Sequence, residues 1–192
     1  MILLIDHEDS FTRNLEHLLA GFDEVVVCDR KNVGKDACEN AEMIVFSPGP
    51  GKPDHYPETQ ALCAKWTGKR TILGVCLGFQ LILQVNGASV IRQEQVLHGV
   101  ETEIKFDPDS QTYAGLPLGL RVARYHSLRV APDSLNDLPS SIKITARDPL
   151  RNTPLSFEDT ERQLFGLQYH PESFLTPSGS KIIENIRNAG MD

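Results

Sequence analysis

Thr71-Ile72-Leu73-Gly74-Val75-Cys76-Leu77-Gly78-Phe79-Gln80-Leu81-Ile82-Leu83-Gln84-Val85-Asn86-Gly87 decides the reading of this chain. Thr71–Val75 is a short apolar run after the polar Gly68-Lys69-Arg70, and it reads as a buried strand. Leu77, Leu81, Ile82 and Val85 recur at helical spacing, and Asn86-Gly87 makes a good helix end. Cys76 therefore stands at a strand-to-helix junction, flanked by Gly74 and Gly78. In the G-x-S-x-G elbow, glycines at these offsets make room for a strained turn that exposes a serine. Here the same offsets frame a thiol. The helix dipole at this position favours thiolate, and the amide of Leu77 faces the place where an oxyanion would form. A lone cysteine is more often a small buried hydrophobe. Such a residue does not need two glycines, and Cys28, Cys38 and Cys63 lack them.

Outward from this elbow, the first half of the chain alternates strand and helix. Strands are expected at Ile2–Asp6, Glu24–Cys28 and Met43–Ser47. Helices are expected at Ser10–Ala20, with Ser10 as N-cap, and at Pro57–Trp66, opened by its proline. This is the signature of a three-layer α/β fold, a mostly parallel central sheet with helices on both faces. The second half is richer in strands, at Val96–Phe106, Leu120–Tyr125, Ser141–Arg147, Pro154–Glu158 and Leu164–Tyr169, before a helix at Ser178–Asn188. Asp107–Leu118 reads as loop. There is no internal repeat or linker, so residues 1–192 are expected to form one domain.

A base and an orienting acid are offered by His170-Pro171-Glu172, which follows the apolar Leu164–Tyr169. On a strand, positions i and i+2 share a face, and Pro171 stiffens the strand end. Both side chains could then reach the elbow. His170 would accept the thiol proton, and Glu172 would fix its tautomer. Alone, this tripeptide is more often loop; with the elbow it completes a kit for acyl transfer through a thioester.

Ser47-Pro48-Gly49-Pro50-Gly51 leaves the C-terminal end of a strand, where open α/β sheets place ligands. Glycines let the backbone approach a ligand, though the motif by itself is an ordinary turn. The 192 residues are 40% hydrophobic with net charge -7 and no basic run, which argues against nucleic acid. Four scattered cysteines suggest neither a disulfide frame nor a zinc site. His7, His17, His55, His98 and His126 have no metal-ligand spacing and read as surface or structural residues, with His126 placed to line the site through its neighbour Ser127. No stretch of about 18 apolar residues spans a membrane. Met1-Ile2-Leu3-Leu4-Ile5-Asp6 has no basic region and does not read as a signal peptide. A reduced, cytoplasmic setting is expected, and it suits a catalytic thiol.

These stretches resemble the class I glutamine amidotransferases, which carry a Cys-His-Glu triad. Leu3–Asp6 with Asp9-Ser10-Phe11-Thr12 and Asn14-Leu15, Ser47–Gly51, Gly74–Gly78 with Gln80, and Tyr125-His126-Ser127-Leu128 with His170–Ser173 carry the likeness. Within the family they look most like the small glutaminase subunit, component II, of anthranilate and aminodeoxychorismate synthases. The resemblance implies a flavodoxin-like core and a Cys76-His170-Glu172 triad. It also implies oxyanion amides from Gly49 and Leu77, and a glutamine site formed by Gly49, Pro50, Gly51, Gln80, Ser127 and Leu128. Ammonia would pass to a separate chorismate-using synthase subunit. Metal and organic cofactors would be absent from this subunit, magnesium belonging to the partner. His7-Glu8 replaces the usual Asn-Tyr, Phe79 a frequent histidine and Val100 a frequent lysine. Other readings are a free-standing γ-glutamyl hydrolase or cysteine peptidase of this fold, and a receiver-like signalling module. The last needs an aspartate at the end of the third strand, where this chain has Ser-Pro-Gly-Pro.

Overall fold

Short strands with aliphatic side chains on both faces must be covered twice, and the computed structural model, which describes residues 1–190, does this. In β1 (Ile2–Asp6), Ile2 and Leu4 enter one core and Leu3 and Ile5 the other. β3 (Met43–Phe46) alternates likewise, Met43 and Val45 against Ile44 and Phe46. The first core is closed by α1 (Thr12–Leu19) and α5 (Gly179–Ala189) through Leu15, Leu19, Ile182 and Ile186. The second is closed by α2 (Lys35–Asn40), α3 (Pro57–Trp66) and α4 (Leu77–Val85), with Cys38, Trp66, Phe79 and Ile82 inside.

The remaining strands are β2 (Val25–Asp29), β4 (Thr71–Val75), β5 (Val90–Arg92), β6 (Val100–Glu103), β7 (Lys105–Phe106), β8 (Arg121–Arg124), β9 (Leu128–Val130), β10 (Lys143–Arg147), β11 (Pro154–Asp159) and β12 (Leu164–Leu167). The main sheet has eight strands in the order β2-β1-β3-β4-β12-β11-β10-β7. Parallel pairing joins the first five, and antiparallel pairing adds the last three. β5 with β9 and β6 with β8 form two small ribbons outside it. The chain turns back between β1 and β3, which makes the crevice at their carboxyl ends the natural ligand position.

The strand and helix flanking Cys76 match the sequence expectation at both ends. Other elements differ. The first helix begins at Thr12, and Ser10 caps nothing. Asp9 organises the entry instead, its Oδ1 accepting the Phe11 amide at 2.8 Å. The single strand expected over Val96–Phe106 is broken. Gly99 takes φ +68°, after which β6 pairs in a ribbon and only β7 joins the main sheet. β12 ends at Leu167, before His170.

Close backbone approach sets the elbow. A Cβ on Gly74 would overlap the Gly78 carbonyl, and one on Gly78 would overlap the Phe46 carbonyl of β3. The first turn of α4 thus rests on two neighbouring strands with no side chain between. Gly78→Ala should therefore destabilise the fold by about 3 kcal/mol, as overpacking against fixed backbone does. Gly68→Ala meets open space and only the strain of φ +72°, so it should cost about 1 kcal/mol. Urea unfolding of both variants checks this, and equal losses would mean that the elbow relaxes freely.

Candidate active site

Cys76 holds a backbone conformation that L-residues rarely adopt, φ 53° and ψ -96°. Such strain persists only where the surroundings over-determine it. Here the Cys76 amide donates to the Leu167 carbonyl of β12 at 2.8 Å, and its own carbonyl accepts the Gln80 amide at 3.2 Å. The residue is pinned between a strand and the helix it opens, with its side chain at the edge of a cavity.

His170 and Glu172 meet by a different route from strand alternation. Past the end of β12, the His170 amide bridges to the Ala123 carbonyl of β8 at 3.0 Å, and the chain then turns. Thr176 locks the turn: its Oγ1 donates to the His170 carbonyl at 2.7 Å and accepts the Ala123 amide at 2.9 Å. A Cβ on Gly179, the first residue of α5, would run into the Pro171 carbonyl. The helix start therefore backs the turn. His170 Nδ1 lies 2.7 Å from Glu172 Oε1. Phe11 and Tyr125 flank the imidazole, each ring centre 5.0 Å away. Among the described residues, the buried His170 Nε2 and Glu172 Oε2 have no hydrogen-bond partner.

Burial alone would lower the His170 pKa. The Cys76 sulfur and the Glu172 carboxylate, by hydrogen bonding and charge, outweigh it and raise the pKa to about 10. The imidazolium is stabilised by its two neighbours, which is what a base paired with a thiol requires.

The loop after β3 is held from below. Ser47 Oγ donates to the Pro48 carbonyl at 2.7 Å and accepts the His7 amide at 2.9 Å. The buried His7 ring bridges Ser47 Oγ and Thr59 Oγ1, at 3.1 and 3.0 Å. Burial, with the Arg30 charge nearby, lowers its pKa to about 4, so the ring is neutral. Tyr56 Oη donates to the Pro50 carbonyl at 2.6 Å and packs edge-on to His7. A Cβ on Gly49 would overlap the side chains of Leu77 and His7. The His7 departure thus has a definite place: it forms the floor under Gly49.

A cavity of about 240 Å³ opens over Cys76. The six residues expected around glutamine, Gly49, Pro50, Gly51, Gln80, Ser127 and Leu128, all line it, as does Leu77. Asp9 and Tyr125 also border it; both belong to quoted motifs, but neither was singled out. Gln168 had no signal in the sequence, being one polar residue in an apolar run. Its Nε2 lies 3.8 Å from Cys76 Sγ, and its Oε1 accepts from Gln80 Nε2 at 3.0 Å. Among the described residues, no three His, Cys, Asp or Glu side chains stand where they could hold a metal ion.

The glutamine amidotransferase class-I family profile matches residues 3–188. The chain belongs to the class I glutamine amidotransferases. It is 37% identical to anthranilate synthase component 2 of Lactococcus lactis, over 98% of this chain and 94% of that one. It is 36% identical to the Bacillus subtilis aminodeoxychorismate/anthranilate synthase component 2, over 97% and 95%. A crystal structure of a glutamine amidotransferase from Thermotoga maritima superposes with a TM-score of 0.71, covering 98% of this chain and 93% of that one at 17% identity, a likeness of fold. Within this amidotransferase, Phe79 is buried against Phe157, ring centres 5.6 Å apart, so it is a packing residue. Val100 opens β6 on the surface.

The raised His170 pKa has a consequence for stability. Its contribution is complete below the unfolded value near 6.5 and is lost as pH climbs towards about 10. Between those limits the wild type should lose urea resistance with pH, and Glu172→Gln should flatten the slope. Superimposable midpoint profiles for the two proteins would contradict the assigned ion pair.

Proposed function

We propose that this chain is the glutaminase subunit of a chorismate-aminating synthase. The full-length likeness to relatives named component 2 supports the partner, and a strained Cys76 at the floor of the cavity supports the chemistry. Cys76 Sγ, its proton already held by His170, attacks the side-chain amide carbon of L-glutamine. The oxyanion forms between the amides of Leu77 and Gly49, two residues so close that a Cβ on Gly49 would overlap the Leu77 side chain. His170 then gives the proton to the departing nitrogen, which leaves as ammonia. Water, deprotonated by the same imidazole, cleaves the γ-glutamyl thioester to glutamate and restores the thiol. Glu172 orients the ring throughout. Gly49, Pro50, Gly51, Gln80, Ser127 and Leu128 hold the substrate. No metal or organic cofactor takes part in this half-reaction, and the cytoplasm is the compartment in which the thiol stays reduced.

Ammonia released to water becomes ammonium and loses its nucleophilicity. The subunit therefore serves the synthase best if its site matures on assembly, and binding linkage makes the effect reciprocal. The glutaminase half is common to anthranilate and aminodeoxychorismate synthesis.

Three measurements test this reading. Cys76→Ser should abolish glutamine-dependent amination of chorismate by the complex and leave ammonia-dependent amination intact. His170→Asn should lose about 100- to 10,000-fold in rate, more than Glu172→Gln, because a base moves the proton that an orienting group only steers. Glutamine hydrolysis by the isolated chain should be slow and should rise when a chorismate-using subunit is added. Full turnover that no such subunit changes would favour a free-standing hydrolase.

A further inference from the structure

The largest fully buried side chain is Arg124, and the mechanism does not use it. Its Nη1 donates to Asp148 Oδ2 at 2.5 Å, with both residues at most 2% exposed. Asp148 sits in the turn between β10 and β11, where its other oxygen accepts the amides of Leu150 and Arg151 at 2.9 and 3.1 Å. A buried ion pair rarely adds net stability over apolar residues of similar volume, because desolvating two charges is costly. This pair also does something an apolar pair could not. Arg124 Nε donates to His126 Nε2 at 3.1 Å. A guanidinium cannot accept, so Nε2 is unprotonated and the proton lies on Nδ1. Nδ1 must then donate to the Leu128 carbonyl, 2.8 Å away. Burial and the Arg124 charge hold His126 neutral.

The Leu128 carbonyl also accepts from Gln80 Nε2 at 3.2 Å, and Gln80 in turn holds Gln168, which contacts Cys76. The neighbouring carbonyls are tied as well, His126 to the Leu97 amide at 3.1 Å and Ser127 to the Gln93 amide at 2.8 Å. In one wall of the cavity the three successive carbonyls of His126, Ser127 and Leu128 are therefore each held by a named donor, and the ion pair acts through His126 on the last of them.

We propose that Asp148, Arg124 and His126 are positioning residues for the amino-acid end of the substrate: they hold the Ser127-Leu128 backbone at the geometry that glutamine meets. None of the three touches the reacting amide, so they act on binding more than on turnover. The proposal rests on glutamine as the occupant of the cavity.

Stability and positioning can be separated by two variants, assayed with the synthase subunit present. Asp148→Asn leaves Arg124 buried without a counter-charge; it should lower the melting temperature and raise KM for glutamine about tenfold, the worth of one misplaced hydrogen bond, with kcat changed much less. Arg124→Met combined with Asp148→Leu should recover the melting temperature and keep the raised KM, because nothing then fixes the His126 tautomer. Hydrogen–deuterium exchange should be faster than wild type over residues 124–130 in both variants and unchanged over residues 71–85. A KM that stays at the wild-type value in Asp148→Asn, or returns to it with the melting temperature in the double variant, overturns the proposal. If the wild type hydrolyses no glutamine, the glutaminase reading fails instead. The exchange arm then decides positioning alone, and unaltered exchange over residues 124–130 overturns it.

Discussion

Two peptide backbones in contact, with no side chain between them, are the constraint on which this structure turns. Gly78 at the start of α4 lies on the Phe46 carbonyl, and Gly74 lies on Gly78. This lets the helix descend far enough for Cys76 to be stretched between the Leu167 carbonyl and the Gln80 amide. The positive φ at Cys76 follows from that tether. The strain is not a property of cysteine; it is imposed by a sheet and a helix that close-packing forbids from separating. The loop bearing Gly49 obeys the same rule, since its backbone passes between Leu77 and His7 where a methyl group would not fit.

Around this rigid point the site is assembled from backbone groups more than from side chains. The thiol, the imidazole and the carboxylate are the exceptions, and each is braced by an element that arrives late in the sequence. β12 inserts beside β4 and presents Leu167 and Gln168 to the cysteine. The turn after it is locked by Thr176 and backed by α5. One wall of the cavity carries three successive engaged carbonyls, those of His126, Ser127 and Leu128, and their donors include the buried polar side chains Gln80 and His126.

What could be read from the sequence depended on whether a local signal carried the feature. Thr71–Val75 and Leu77–Val85 were legible to the residue, because an apolar run, two glycines and Asn86-Gly87 each report a purely local preference. The cavity residues were legible from motifs. Ser10 misled because the residue type favours a cap, yet Asp9 reaches the Phe11 amide first and shifts the helix start. Val96–Phe106 misled because alternation cannot show that Gly99 turns the chain out of one sheet into another. β5, β9 and α2 gave no signal: they are too short for periodicity to register. Arg124, Asp148 and Gln168 were invisible for a deeper reason. Their partners are distant in sequence, and only the folded chain brings them together.

The contact between Gly179 and Pro171 has a bearing on protein synthesis. A ribosome extrudes Cys76 and the four strands β1 to β4 long before β12, the histidine turn and α5. A nascent chain can therefore carry Cys76 while lacking the strand that strains it, the imidazole beside it and the helix that backs the His170 turn. Order of translation thus delivers the thiol well before the groups that the folded chain packs around it.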